Sequence, residues 1–251
     1  LHLGSIDSMS SVLDMNMSPK NVISENNTVN TFLQKAGYKT HLVLNNYLLG
    51  NMATSAADYV YPSFSYMIGV NAVYRGIAGG EFKSAIVSSD TNYNDWLKVK
   101  REVISSVTEN PKFLYAHSGL PNHSQNSGRC RKDETARYFE RLKQANHEMR
   151  EDISEIVKNN RDAIIIIAGD HGPSLTADCA FMEEYKESDI TAINLGDRYG
   201  MFLAVKWPDK NYQEYDQISI LQDVFFSVFG YMLKDEKVLY HRLNKITIWS
   251  G

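Results

Sequence analysis

The sequence predicts an α/β protein with a largely parallel central sheet, and three stretches predict it. The first is Ala163–Pro173, AIIIIAGDHGP. Its run of isoleucines, Ile164 to Ile167, is too short for a membrane span and too uniformly apolar for a surface strand. It predicts a strand buried on both faces, as in the middle of a parallel sheet. The second is the succession of Lys112–His117 (KFLYAH), a long amphipathic segment Glu134–Lys158, and Ala163–Ala168. Strand, helix and strand in that order predict a right-handed crossover, with both strand ends on one sheet edge. The third is Asn26–Ala36 followed by Gly37 and by Tyr38–Leu44 (YKTHLVL), a helix, a stop and a strand.

Each element has a local reason. Val29, Phe32, Leu33 and Ala36 fall on one face of the first helix. Asn92–Thr108 predicts a helix, with Trp96, Val99, Val103 and Val107 at spacings of three and four. On the longest helix Tyr138, Leu142, Ala145, Met149, Ile153 and Ile156 form an apolar stripe. Arg141, Lys143, Glu148, Arg150, Glu151 and Glu155 are assigned to its solvated face. Gly50–Gly80 is rich in aromatic and small residues without sustained periodicity, and predicts loops and short helices. Leu175–Asp197 is polar and acidic and predicts loops. Tyr199–Lys206 predicts a strand, Ile218–Leu233 a helix, and Lys245–Trp249 a further strand. No linker or repeat divides the 251 residues, so one domain over 1–251 is expected.

Bulk properties exclude some partners. The net charge of −4 gives no support to nucleic-acid binding. No apolar run approaches the ~20 residues of a membrane-spanning helix. No signal peptide opens the sequence, and LHLGS reads as the interior of a longer chain, so a targeting or membrane segment is expected outside it. Cys130 and Cys179 could pair or remain thiols; their spacing does not decide.

Candidate chemistry gathers at strand ends, where ligands sit in open α/β sheets. Asp170 and His171 follow the isoleucine strand between Gly169 and Gly172. An anionic oxygen and a neutral nitrogen side by side suit a divalent metal. Alone, the pair would more often be a turn cap and a loop histidine; the buried strand in front of it turns the reading toward a metal pair. His117 ends another strand, and the loop after it, SGLPNHSQNSG, carries His123. Ser5 and Asp7 can cap a short helix holding Met9, Val12 and Leu13. A hydroxyl there faces unpaired backbone N–H groups, which suits an attacked phosphate, although a plain cap is the simpler use. Asn45 and Asn46 end the Tyr38–Leu44 strand, with turn formation the first expectation.

Taken together, NNTVNTFLQKAGYKTH, PKFLYAHSGLPNH, the long helix, IIIIAGDHGP and RYGMFLAVKWP resemble the sulfatase-like part of the alkaline phosphatase superfamily. They are most similar to bacterial phosphoglycerol and phosphoethanolamine transferases and lipoteichoic acid synthases. The resemblance implies a three-layer α/β sandwich and one divalent ion, manganese or zinc. It implies Asp170 and His171 as metal ligands, with Ser5 as the metal-bound nucleophile. His117 and His123 would line the substrate phosphate, although the loop departs from the usual His-Pro-Pro form. The first metal-binding acid of such proteins lies on a strand before the nucleophile, and that strand is not in this sequence.

Sulfatases carry Cys or Ser followed by x-Pro-x-Arg, so that the residue can be oxidised to formylglycine. Here Asp7 and Met9 stand at those two positions, which argues for phosphate esters over sulfate esters. The implied activity is transfer or hydrolysis of a phosphoester headgroup on a glycolipid or polysaccharide. The implied location is the cell envelope, outside the cytoplasmic membrane, with a membrane tether beyond this sequence. A non-catalytic domain that binds a phosphorylated glycan or a partner is the alternative, and a sulfatase the weaker one.

Overall fold

A computed structural model describes residues 28–45, 57–61, 89–122, 132–175 and 191–242. The chain divides into two units, 1–119 with 241–243, and 120–240 with 244–251. Ser5, His123, both cysteines, the short helix after Ser5 and the Lys245–Trp249 strand lie outside the described residues.

In the first unit, helix α1 (Thr28–Lys35) buries Val29 and Leu33. It ends at Gly37, whose φ of 86° is the left-handed conformation that glycine adopts without strain. The Tyr38 N–H then returns to the Leu33 carbonyl at 2.9 Å, closing the helix end. Strand β1 (Lys39–Leu44) follows and buries Thr40, Leu42, Val43 and Leu44. It lies between β2 (Tyr59–Tyr61) and β3 (Lys112–His117), both parallel to it. Leu44 registers with His117, so β1 and β3 end together. Strand β2 falls inside Gly50–Gly80, for which the sequence predicted no strand. Three residues are too few to establish an alternating pattern.

A side-chain clasp joins β2 to β1. The Asp58 carboxylate accepts from the Thr40 backbone N–H and hydroxyl, each at 2.9 Å, and from Lys39 at 2.9 Å. The Thr40 backbone N–H, then Lys39, hold the Asp58 carboxyl well below the usual carboxylate range. Helix α2 (Ser89–Ser105) packs Trp96 and Val103 against Val43. Val107, assigned to that helix face, lies past its end and is exposed. The last carbonyls of α2 and its flank (Val103, Ile104 and Ser106) accept from the Lys112 ammonium, a capping role that follows from the negative end of the helix dipole.

His41 makes the first unit acid-sensitive. Both ring nitrogens are buried without a hydrogen-bond partner, and the ring faces Tyr59 at 5.7 Å. Burial, with the Lys112 charge behind it and Asp58 opposing, pushes its pKa below the ordinary 6.5. The unfolded chain therefore takes the proton first. Stability should be constant at neutral pH and fall as pH drops through 6.5. His41→Phe should flatten this fall in urea unfolding between about pH 5 and pH 7, a window above the carboxylate range. An unchanged slope in that variant would remove His41 as its cause.

The second unit holds α3 (Glu134–Asn159), β4 (Ile165–Ala168), α4 (Ala192–Tyr199), β5 (Leu203–Lys206) and α5 (Val224–Leu233). Strand β4 pairs antiparallel with β5, Ile165 opposite Lys206 and Ala168 opposite Leu203. Ile165, Ile166 and Ile167 are half-buried. The expectation of a strand buried on both faces of a parallel sheet is therefore not met. An apolar run reports how much surface must be covered, but it carries no information about the direction of its neighbour. Among the described residues β3 and β4 are not in one sheet.

Two further corrections concern helices. Helix α4 occupies the end of a stretch expected to be loop. Its start is a capping box in which Thr191 and Asn194 satisfy each other's backbone N–H groups. On α3 Glu148, assigned to the solvated face, is 8% exposed and accepts from Gln144 at 2.9 Å. A 3-10 turn (Leu221–Asp223) leads into α5, whose Val224, Phe225, Val228 and Phe229 form the buried core there. Trp207 closes β5, stacking on Tyr212 and donating to Asp216 at 2.8 Å.

Candidate functional site

The mixed α/β architecture, with a three-stranded parallel sheet and helices, provides two strand ends that carry predicted residues. In the first unit His117 is half-buried at the carboxyl end of β3. Its carbonyl accepts the Asn45 N–H at 3.0 Å, which carries the β1–β3 ladder one step past the strand end. The position is thus held by backbone at the end of β3, an outer strand of the described three-stranded sheet.

In the second unit the β4–β5 ladder continues to Gly169, whose N–H reaches the Phe202 carbonyl at 2.9 Å. The chain then turns through Asp170 and His171. The His171 N–H donates to Asp170 Oδ1 at 3.1 Å. His171 Nδ1 lies 2.9 Å from the Gly172 carbonyl. A carbonyl only accepts, so Nδ1 carries a hydrogen, which leaves Nε2 as the ligating nitrogen of the neutral ring. That Nε2 stands 3.7 Å from Asp170 Oδ2, too far for a hydrogen bond. The two side chains sit side by side at an accessible place, His171 41% and Asp170 83% exposed. A backbone carbonyl that fixes the tautomer of a histidine is the usual outer support of a metal ligand. The pair fits two adjacent positions on a divalent cation. Among the described residues no third His, Cys, Asp or Glu completes a ligand cluster.

The loop after the pair is fastened to α4. The Gly172 N–H donates to the Arg198 carbonyl and the Ser174 N–H to the Asp197 carbonyl, both at 3.1 Å. These carbonyls lie in the last turn of the helix, where no intrahelical partner exists. Gly172 is buried, and a Cβ on it would stand 2.0 Å from the Asp197 carbonyl oxygen. The glycine of Asp-His-Gly is required by this approach of two backbones.

The sequence reading overlooked one buried ionisable group. Glu134 is 1% exposed on the first turn of α3. It precedes Tyr138 by four residues, so it extends the buried stripe by one helical turn. A stripe defined by apolar residues alone stops at Tyr138. Burial, with the Asp197 charge, pushes the Tyr138 phenol up, opposed by Arg141.

No curated protein and no solved structure matches the chain. The family model Sulfatase matches residues 5–231, a span that runs through both units and includes His117, Asp170 and His171. With the α/β architecture, that match establishes that the chain belongs to the sulfatase family of the alkaline phosphatase-like superfamily.

Proposed function

We propose that this sulfatase-family hydrolase or transferase is a metal-dependent phosphotransferase or phosphodiesterase that attacks a phosphoester headgroup through Ser5. The observation that carries the proposal is the Asp170 Oδ2 and His171 Nε2 pair, an oxygen and a nitrogen 3.7 Å apart on a loop braced by backbone. A divalent ion, manganese or zinc, held there with an acid upstream of this sequence, would lower the Ser5 hydroxyl pKa and polarise the phosphoryl oxygens. Ser5 Oγ would form the new bond to phosphorus in line with the departing alcohol. His117 would donate to a non-bridging oxygen or protonate the alcohol, and His123 would contact the same phosphate. The phosphoserine would then pass its phosphoryl group to an acceptor hydroxyl or to water. Asp7 and Met9, in place of the formylglycine-directing Pro and Arg, favour phosphate over sulfate.

Under this reading the whole chain is one catalytic domain. It acts on a glycolipid or polysaccharide at the outer face of the cytoplasmic membrane, with a membrane tether beyond this sequence. No described helix is long and apolar enough to cross a membrane.

The test uses the full-length protein dialysed against manganese or zinc. Near-stoichiometric metal is expected in the parent, and background levels in Asp170→Ala. Ser5→Ala should abolish turnover of an aryl phosphodiester while keeping the metal. His117→Ala should lower kcat by about 10²–10³-fold, the usual cost of losing one transition-state donor. Metal that survives in Asp170→Ala, or turnover that survives in Ser5→Ala, would reject the proposal.

A further inference from the structure

The carboxyl end of the parallel sheet in the first unit carries a polar side chain that the proposed chemistry does not use. Asn45 follows β1, the middle strand, and Leu44 before it registers with His117. A turn is the first expectation for Asn45 from the sequence. In the structure its N–H donates to the His117 carbonyl at 3.0 Å and extends the ladder by one residue. Its side chain, in a half-buried residue, lies against the loop that follows His117. A Cβ built on Gly119 would stand 2.9 Å from the Asn45 amide nitrogen and 3.6 Å from its carboxamide carbon. The backbone of Gly119 is outside the left-handed region, so no dihedral there calls for glycine. What the absent side chain leaves is room for the Asn45 carboxamide.

Asn45 and His117 thus end adjacent strands, at the edge where open α/β sheets hold their ligands. A carboxamide brings two N–H donors and no charge. It does not titrate near neutral pH, so it suits binding rather than acid or base work. Phosphoryl oxygens accept such donors, and amide side chains are among the usual partners of phosphate. An imidazole and an amide at neighbouring strand ends can each donate to one oxygen of the same phosphate. Two such bonds fix its orientation better than one.

We infer that Asn45 is a substrate-binding residue, whose carboxamide donates to a phosphoryl oxygen of the ester held at His117. The inference rests on the proposed phosphoester chemistry and adds a neutral donor to it. Gly119 serves that donor by leaving it space.

The test measures binding of inorganic phosphate to the metal-loaded, full-length protein by calorimetry. Asn45→Ala should weaken binding by about tenfold or more, the worth of one hydrogen bond to a charged group. Asn45→Asp keeps the size of the side chain and replaces the donor by an anionic oxygen. It should weaken binding further than Asn45→Ala, because it sets like charges together. A carboxamide that only packs against the loop predicts the opposite order, with Asn45→Asp close to the parent and Asn45→Ala the worse variant. Gly119→Ala leaves both binding side chains in the protein and pushes the Asn45 carboxamide aside. It should lower phosphate affinity several-fold in the parent and have no further effect in Asn45→Ala, a failure of additivity that marks direct coupling. Gly119→Ala also provides a variant that keeps its fold, since the obstacle to its methyl is the end of a flexible side chain.

Parent-like phosphate affinity in Asn45→Ala or in Asn45→Asp would overturn the inference. So would a Gly119→Ala effect that persists in full in the Asn45→Ala background. His117→Ala and Asp170→Ala separate the two levels. If these two lose phosphate while Asn45→Ala binds it like the parent, the assignment of Asn45 alone is wrong. If the parent binds no phosphate, or both variants bind it like the parent, the phosphoester reading fails and takes Asn45 with it.

Discussion

Gly172→Ala should destabilise the protein by about 3 kcal/mol, the upper end for inserting one methyl into a packed site. The methyl would stand 2.0 Å from the Asp197 carbonyl oxygen and 2.5 Å from its carbon. The obstacle is backbone, so no side chain can swing aside. Either the last turn of α4 or the Asp170–His171 loop must move. Movement breaks the Gly172–Arg198 and Ser174–Asp197 hydrogen bonds together, because both cross the same gap. The proposed activity should fall by about 10²-fold even in molecules that remain folded, since a displacement near 1 Å costs that much in a positioned site. Urea unfolding and metal content of the purified variant check both parts. Parent-like values in both would show that the loop does not depend on α4 for its position.

Trp96→Ala should cost about 3–5 kcal/mol, as for other large aromatic truncations in a core. Trp96 is 1% exposed and packs with Val43 and Val103 at the centre of the first unit. Its indole Nε1 donates to the Val43 carbonyl at 3.0 Å on the middle strand of the sheet. The Lys100 ammonium sits 4.4 Å from the ring centroid and is itself in a residue only 7% exposed. Truncation therefore leaves a cavity, an unsatisfied carbonyl and a buried ammonium that has lost its aromatic face. Trp96→Phe keeps most of the volume and loses the N–H donor, so about 1–3 kcal/mol is expected. Chemical denaturation of the three proteins ranks them. Equal losses for Ala and Phe would mean that the hydrogen bond, rather than the packing, dominates.

Legibility differed among the elements for physical reasons. Helix α3 was readable at almost its full length because apolar spacing repeats over about five turns, from Tyr138 to Ile156, while the buried Glu134 and Glu148 and the exposed Phe139 went against polarity. The β1 and β3 strands were readable because each is an apolar run bounded by breakers. That such strands run parallel followed from the fold class; that β1 and β3 are direct neighbours is seen only in the structure. Helix α4 was missed because its apolar residues stay exposed. Ile193 is 74% and Tyr199 59% exposed, so no core-facing stripe marks it. Of the candidate site, Asp170 and His171 were identified by type and by their place after a strand. The orientation of the His171 ring rests on the Gly172 carbonyl, which no side-chain pattern announces.

The chain's order of apolar runs and breakers was enough to predict an α/β protein with histidines and an aspartate at strand ends, and the motifs around them carried the family resemblance. Those are local properties, since each depends on the spacing of a few neighbouring residues. Long-range packing settled the rest. It gave β4 an antiparallel partner, placed Gly172 against α4, left His41 and Glu134 buried without partners, and turned Lys112 back onto the end of α2. Each of these depends on which surfaces meet, and a hydrophobic pattern records only that a surface must be covered.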